Sequence, residues 1–473
     1  MIRINGKSGL SGLFLLLAVL LQSILIFFNL AETTDSVNYI MYINNYIIGF
    51  LIILTLVLKG GSKHFLAIAF FACYLIFLMG QKPFEPEYDV YLTFVRLKLD
   101  TNQYFVFSCI LFLGLAVTYY SYSLFSQRRS GNEQETLADK GINNQAIKPL
   151  LTVMLAVTLP CALYMQAKIV IVRSSMAYTS GYLINVDVPA VIKAGYYIYS
   201  TVVLLYLALK PTKRQLLFVL GTYILIEGGF QLFQGRRALF ASTVLFCIWY
   251  LFKYHNIGKI KGKYIVRVGV VIAGLVILLF IVEQARDAKS TALTFRFIRK
   301  LLVSTGGSDS VIANTIYRKD QFPASGIAYL LDPLINNPLG NLLFGRTSSA
   351  QGLMYLQQHN SFSHWISYMT ESSLYLSGHG MGSSYLAEVY LAFGMAGIPL
   401  VSVLVGWLLD KLNRIKFNDD LLRTGLVFFI VRRIFTLPRD GLFSWASSLI
   451  YLIFTYIIIY PFYYRYCRKT PEI

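Results

Sequence analysis

Residues 10–30, LSGLFLLLAVLLQSILIFFNL, form a long apolar run without a charged residue. The hydrocarbon core of a bilayer is about 30 Å thick, so about 20 such residues in one helix cross it with every backbone polar group hydrogen-bonded inside the segment. The run follows Arg3 and Lys7, as in a signal peptide, but its apolar core is long for one. It therefore predicts a first membrane span.

The rest of the chain repeats this pattern. Of its 473 residues, 56% are hydrophobic and only 14% are charged, whereas soluble domains carry about 25% charged residues. This composition excludes a soluble fold, and the apolar runs predict an all-α polytopic membrane protein with about twelve spans. Their predicted limits are 10–30, 40–58, 65–80, 104–125, 150–167, 190–209, 215–234, 239–252, 264–283, 384–409, 421–437 and 442–463.

The placement of lysine and arginine predicts the orientation of these spans. Seven segments hold 23 of the 42 Lys and Arg residues, and most are short connections, in which basic residues mark the cytoplasmic side. Both termini are therefore expected in the cytoplasm, with residues 1–473 forming one integral membrane domain. The cytoplasmic segments are 1–9, 59–64, 126–149, 210–214, 253–267, 410–423 and 464–473.

One long segment, 285–383, joins predicted spans nine and ten on the outer side. Loops of this length are usually functional or disordered, and the apolar content of this one argues against disorder. One stretch of it predicts a helix at the membrane interface, with apolar residues on one face and basic residues, suited to anionic membrane lipids, on another. These residues are Leu293, Phe297 and Leu301, and Arg296, Arg299 and Lys300.

The stretch Gly235-Arg236-Arg237-Ala238 lies at the outer turn between predicted spans seven and eight. Its two guanidinium groups suit a diphosphate, because arginine donates paired hydrogen bonds to phosphate oxygens and stays charged. Anchoring to lipid headgroups is the alternative function of this turn.

Further arginines lie at the outer ends of other spans. Arg432 and Arg433 end span eleven, Arg439 follows them, and Arg286 follows span nine. Charge inside a membrane is costly, so such residues are expected to line the bundle interior or an aqueous cavity and to serve a function. For Arg439, a local ion pair with Asp440 is the alternative.

Two carboxylates, Glu227 in span seven and Glu388 near the start of span ten, are candidate catalytic bases. Each is equally a candidate structural partner for one of the arginines, which would keep it ionised and a poor proton acceptor. Histidine suits a base better, with an intrinsic pKa of about 6.5. Of the outer histidines, His359, His364 and His379, the last has glycine neighbours that leave room for a saccharide. The alternative for His379 is an incidental loop residue.

Several signatures of metal and nucleotide chemistry are absent from the sequence, including a Walker loop and a Cys/His zinc cluster. Glu85-Pro86-Glu87-Tyr88-Asp89 places oxygen ligands at alternate positions, which fits either a divalent cation or a solvated acidic turn. We expect no cofactor, no catalytic metal and no nucleic acid partner.

The arrangement of these residues resembles the Wzy-type polymerases of O-antigen and capsule assembly and, more distantly, the O-antigen ligases. The resemblance covers chiefly spans seven to twelve. Gly-Arg-Arg-Ala at 235–238 is similar to the Ser-Arg-Gly-Ala type turn of that superfamily. The stretch from His379 to Glu388, continuing through Gly394-Met-Ala-Gly397, is similar to the end of its large outer loop and the following Gly-x-x-Gly span.

This resemblance implies a GT-C-like, metal-independent glycosyltransferase in the bacterial inner membrane that polymerises undecaprenyl-pyrophosphate-linked oligosaccharide repeat units. It implies that His379 is the base, although a Gly follows it where the ligases have Asn. Arg236, Arg237, Arg286 and Arg432 are then expected to hold the pyrophosphate, with Arg433 and Arg439 as further candidates. A Wzz-type chain-length regulator and a flippase are expected partners.

Three alternatives remain open from the sequence. An O-antigen ligase shares most of these features but requires lipid A-core as acceptor. A lipid-linked oligosaccharide flippase or another transporter predicts charges along the middle of spans and paired similar halves, which the sequence lacks. A lipid-phosphate-sugar transferase would use residues 85–89 as its metal site.

Overall fold

The computed structural model is all-α and describes residues 6–80, 90–91, 96–97, 99–128, 144–174, 186–234, 236–254, 274, 307–346, 351–414 and 420–467. The predicted interfacial helix, the acidic stretch 85–89 and, apart from residue 274, the predicted span 264–283 lie outside the described residues. Arg286 also lies outside them.

Eleven of the twelve predicted spans coincide with helices. These are α1 (Gly6–Ala31), α2 (Asp35–Leu58), α3 (Phe65–Met79), α4 (Thr101–Arg128), α5 (Lys148–Ser174), α6 (Ala190–Ala208), α7 (Lys213–Phe233), α8 (Arg237–Tyr254), α15 (Tyr385–Asn413), α16 (Leu421–Ile434) and α17 (Ala446–Cys467). Eight helices of the described residues are long and apolar enough to cross a membrane. The other three, α3, α8 and α16, are shorter or less apolar.

Six short helices follow α8 in the part of the predicted loop that the structure describes. They are α9 (Asp309–Tyr317), α10 (Gly326–Ile335), α11 (Pro338–Leu343), α12 (Leu353–Gln358), α13 (Phe362–Thr370) and α14 (Ser372–Leu376). Single 3₁₀ turns occur at Gly61–His64, Asn144–Ile147, Lys319–Gln321 and Leu437–Arg439, and a two-residue antiparallel pair joins Val90–Tyr91 to Arg96–Leu97.

Helices α4 and α15 form the central packing contact of the described bundle. Gly406 allows this close approach, because a Cβ atom there would meet the backbone oxygen of Thr118 and the side chain of Ser121. Helix α9 packs against both helices, and its Val311, Ile312 and Ala313 are completely buried. The first described part of the predicted outer loop is therefore a buried part of the bundle.

Segments that the sequence assigns to the cytoplasm meet at one end of the bundle, which we call the basic end. Lys253 donates a hydrogen bond to the carbonyl oxygen of Asn413, and the Asn413 amide donates to that of Lys63. Arg414 pairs with Asp410 at 2.8 Å and donates to the carbonyl oxygen of Phe125 at 2.9 Å. The start of α15 lies at the opposite end, where α10 packs against it; we call this the loop end.

Candidate functional site

Glu227 and Arg432 form a buried ion pair between α7 and α16. The same guanidinium group donates a hydrogen bond to the Ser200 hydroxyl of α6 at 2.6 Å, and its carbon lies 5.4 Å from the centre of the Tyr223 ring. Three helices thus surround one cation. Of the two sequence-based alternatives for Glu227, base or partner of an arginine, the structure shows the pairing with an arginine.

The backbone of α7 departs from the α-helix where it carries Glu227. Residues Ile224–Gly229 form a π-helix, which contains one extra residue per turn and occurs frequently at functional sites. Widening the turn changes the local hydrogen bonding, and the Thr243 hydroxyl of α8 donates to the carbonyl oxygen of Glu227 at 3.3 Å. The carboxylate is therefore presented to α16 from a backbone held by α8.

Arg433 points away from Arg432, since consecutive residues of a helix differ by about 100° in direction. Its guanidinium group donates to the Ser448 hydroxyl of α17 at 2.8 Å, and its carbon lies 6.0 Å from the Phe429 ring centre. The Nε–H group of Arg433 is buried and has no hydrogen-bond partner among the described residues. A buried N–H group without an acceptor lowers the stability of the fold, so this donor is suited to bind an anion.

The turn between α16 and α17 places Asp440 close to Arg433 and Arg439. Burial raises the pKa of Asp440, although the two guanidinium groups favour its ionised form. The carbon of the Arg439 guanidinium lies 6.0 Å from the Phe77 ring centre of α3. Arg439 and Asp440, for which the sequence predicted a local pair, thus belong with Arg433 to one electrostatic group.

Arg236 and Arg237 lie at the start of α8, Arg236 exposed and Arg237 half-buried. The Arg236 N–H donates to the carbonyl oxygen of Gln231 at 2.8 Å, which closes the turn after α7. Across the bundle, the Tyr196 hydroxyl interacts electrostatically with Arg236, Arg432 and Glu227. Tyr196 therefore interacts with both the turn and the buried ion pair.

A chain of amides fixes this turn to α5. Gln234 donates to the Gln166 side-chain oxygen at 2.6 Å, and Gln166 donates to the Tyr196 hydroxyl at 3.0 Å. Sequence reasoning missed these residues, although glutamines inside apolar runs are a signal: a polar side chain in a membrane span requires a partner.

Glu388 is buried at the loop end and connects two segments. One carboxylate oxygen accepts from the Ser383 hydroxyl at 2.7 Å, and the other accepts from the Leu442 N–H at 2.9 Å. A Cβ atom at Gly441 would collide with this carboxylate. Only glycine therefore lets the α16–α17 turn approach the start of α15 so closely, and Glu388 interacts electrostatically with Asp440 of that turn.

His379 is half-buried in the loop, and its Nδ1 lies 3.0 Å from the Ser377 hydroxyl. Gln351 donates to its carbonyl oxygen at 2.7 Å. Neither contact is to the arginines or to Glu388. His364 is a weaker candidate, because burial, with a further contribution from His359, lowers its pKa to about 4. His359 itself is buried and lies 3.4 Å from Arg346.

Asp332 is the centre of a polar cluster in the loop. It accepts from the Asn360 N–H at 3.1 Å and lies 3.7 Å from Arg346. Burial raises the pKa of Asp332, opposed by the Asn360 hydrogen bond and by His359 and Arg346. Tyr355 stacks between two histidines, with its ring centre 4.4 Å from His359 and 4.2 Å from His364. This cluster holds the loop helices together over the start of α15.

The described residues contain no group of three or more His, Cys, Asp or Glu side chains arranged to hold a metal ion. Six of the nine predicted candidates form two neighbouring groups at the loop end: Glu227, Arg432 and Arg236 near Tyr196, and Arg433, Arg439 and Glu388 around the α16–α17 turn. Arg432 and Arg433, adjacent on α16, join them.

Comparison with known proteins gives one match. Residues 12–470 match the family model of the O-antigen polysaccharide polymerase Wzy. No curated protein and no solved structure matches the chain. The matched region extends well beyond spans seven to twelve, which carry the sequence motifs. Because it covers nearly the whole chain, this protein belongs to the Wzy family of O-antigen polysaccharide polymerases.

Proposed function

We propose that this protein joins undecaprenyl-pyrophosphate-linked oligosaccharide repeat units into O-antigen or capsular polysaccharide at the outer face of the bacterial cytoplasmic membrane. A hydroxyl group of the incoming unit attacks the anomeric carbon of the growing chain. The new glycosidic bond forms as the bond between that carbon and the pyrophosphate breaks, so undecaprenyl pyrophosphate leaves with the electron pair. The attacking hydroxyl gives its proton to a base.

The observation that supports this proposal best is the unfilled donor of Arg433 in a group of cations at the loop end. Arg236, Arg237 and Arg433 contact the pyrophosphate and stabilise the charge that develops on it as it leaves. Arg432, whose charge Glu227 already balances, positions Arg433 and the α7 turn. Arg439 and Arg286 remain further candidates, the latter on sequence grounds alone.

The orientation follows from the two ends of the bundle. The basic end, with Lys63, Lys253 and Arg414, faces the cytoplasm, as an excess of basic residues in short connections favours. The loop end and its arginines then face outward. We place both termini on this side too, which is supported by the packing of α1 against α2 and of α17 against the turn Asn144–Ile147.

Replacing Arg236 by alanine tests the pyrophosphate site. We expect Arg236→Ala and Arg237→Ala to lower chain lengthening of lipid-linked repeat units by about 100-fold each, as for other lost contacts to a developing anion. Lysine at either position leaves partial activity, because the charge remains and the planar fork is lost. Products are separated by length after incubating purified protein with its lipid-linked unit.

Arg214→Ala is the matched control, since Arg214 is an exposed arginine at the other end of α7. Wild-type activity in both alanine variants of the α8 turn would remove the pyrophosphate assignment. A deletion strain separates polymerase from ligase: without a polymerase, core is still capped with one repeat unit, and without a ligase it is not.

The base is either His379 or Glu388, and the variant in which the acidic limb of the pH–rate profile disappears distinguishes them. A histidine base predicts an acidic limb near neutral pH that disappears in His379→Ala together with most of the activity. Glu388→Gln then lowers activity only through the loosened α16–α17 turn and retains the limb. A wild-type profile that is flat near neutral pH would exclude His379.

We further propose that the reaction is independent of metal, so that EDTA leaves the rate unchanged.

A further inference from the structure

Three tyrosines lie beside the Arg236 turn at the loop end. Tyr196 and Tyr197 lie on α6 and Tyr451 on α17, each within about two helical turns of the start of its helix. Arg236 interacts electrostatically with Tyr196 and with Tyr197. Hydrogen bonds through Gln166 also connect Tyr196 to Gln234 at the end of α7, so this tyrosine lies near the turn that carries Arg236.

Tyr197 and Tyr451 form a flat aromatic surface. Their ring centres are 4.6 Å apart and their planes differ by 12°. The Thr201 and Thr455 hydroxyls, one turn further along each helix, lie 2.9 Å apart and fix the register of the pair. Tyr197 is nevertheless 36% exposed, so one side of the stack stays open beside Arg236.

Tyr196 adds an oriented hydroxyl group. Because Gln166 donates to its oxygen, the hydroxyl proton points elsewhere, and no acceptor for that proton is among the described residues. Gln234, at the end of α7, holds Gln166 in place. Tyr196 thus presents a hydroxyl group beside the Tyr197 ring and is connected through Gln166 to the end of α7.

We propose that Tyr196, Tyr197 and Tyr451 form a subsite for the sugar that is attached directly to the pyrophosphate, an inference that rests on the proposed function. A sugar ring has apolar C–H faces and polar edges, so it pairs with an aromatic surface and a placed hydroxyl donor, the combination typical of ligand sites. The sugar is bonded directly to the pyrophosphate. When Arg236 binds the phosphates, the sugar therefore lies against the neighbouring tyrosine rings.

Aromatic residues also anchor membrane proteins at the interface, and the chain contains a comparison for that effect. Tyr456, Tyr460 and Tyr464 form a ladder along the same helix, with successive ring centres 5.8 and 6.2 Å apart. Tyr464 is 52% exposed and lies near the opposite end of α17. It is the matched control for an exposed tyrosine without the sugar-binding role.

The test measures binding of two probes to purified protein in nanodiscs: undecaprenyl pyrophosphate, and the undecaprenyl-pyrophosphate-linked repeat unit that accumulates in a deletion strain. Wild type is expected to bind the sugar-bearing probe more tightly. Tyr197→Leu and Tyr451→Leu should weaken that binding about three- to tenfold and leave the bare lipid unchanged. Tyr196→Phe should give a smaller loss for the same probe, and Tyr464→Leu none.

If the tyrosine variants lost affinity equally for both probes, or lost none, the tyrosines would serve only packing and interface anchoring. Either result would overturn the subsite. Equal affinity of wild type for both probes would also overturn it. The proposed function fails separately, namely if Arg236→Ala weakens the binding of neither probe while the tyrosine variants still discriminate between them.

Discussion

Glu227→Ala destabilises the protein by about 3–5 kcal/mol and abolishes polymerisation, because it leaves the buried guanidinium group of Arg432 without its counterion. Arg432→Met has a similar effect on stability, because it leaves the buried Glu227 carboxylate in the π-helix without its counterion. Thermal unfolding of the purified variants measures the first effect, and lengthening of lipid-linked units measures the second.

The double variant Glu227→Gln with Arg432→Met separates stability from function. Removing both charges relieves the penalty of either single change, so most of the lost stability should return. Polymerisation should stay low, because Arg432 no longer holds α7 and α16 in register beside Arg433. Full recovery of activity in the double variant would show that the pair contributes to folding alone.

Arg433→Ala lowers polymerisation by about 100-fold or more, and it costs less stability than Glu227→Ala, because Asp440 keeps Arg439 nearby. The change removes one described hydrogen bond, from the charged guanidinium group to Ser448, worth about 1.5–3 kcal/mol. It also removes a buried donor that no described residue fills, and a donor aimed at developing negative charge contributes far more to the rate than to folding. Initial rates at saturating lipid-linked substrate measure the effect.

Two variants sharpen this comparison. Arg433→Lys keeps the charge but loses the Nε–H donor, so its activity should fall between those of alanine and wild type. Arg423→Ala removes an exposed arginine from the other end of the same helix and should be neutral. If Arg423→Ala and Arg433→Ala lowered the rate equally, net charge would explain the effect and the pyrophosphate contact would be wrong.

The sequence predicted the membrane architecture well because insertion energetics act on each segment separately. Whether a run of apolar residues can cross a bilayer depends on its own length and not on the neighbouring segments. The prediction was confirmed for the fold class, and the helices at Asp35–Leu58 and Ala190–Ala208 begin and end within a few residues of their predicted limits.

The site was harder to predict, since its groups come from distant parts of the chain. Composition shows that an arginine near a span end requires a partner, but it does not show that Arg432 pairs with Glu227 and Ser200. The loop cluster around Asp332 was missed for the same reason. Its members are unremarkable in sequence and meet only after the short helices fold over the start of α15.

The π-helix at Ile224–Gly229 means that the register of α7 changes halfway along it. Such a turn is equivalent to one inserted residue, and each residue of a helix corresponds to about 100° of rotation. A relative without the insertion would cross the bilayer equally well but would aim everything after Glu227, including Arg236, in a different direction. Evolution can therefore redirect the substrate-facing end of this helix by a single-codon insertion or deletion, without altering any residue that contacts the ligand.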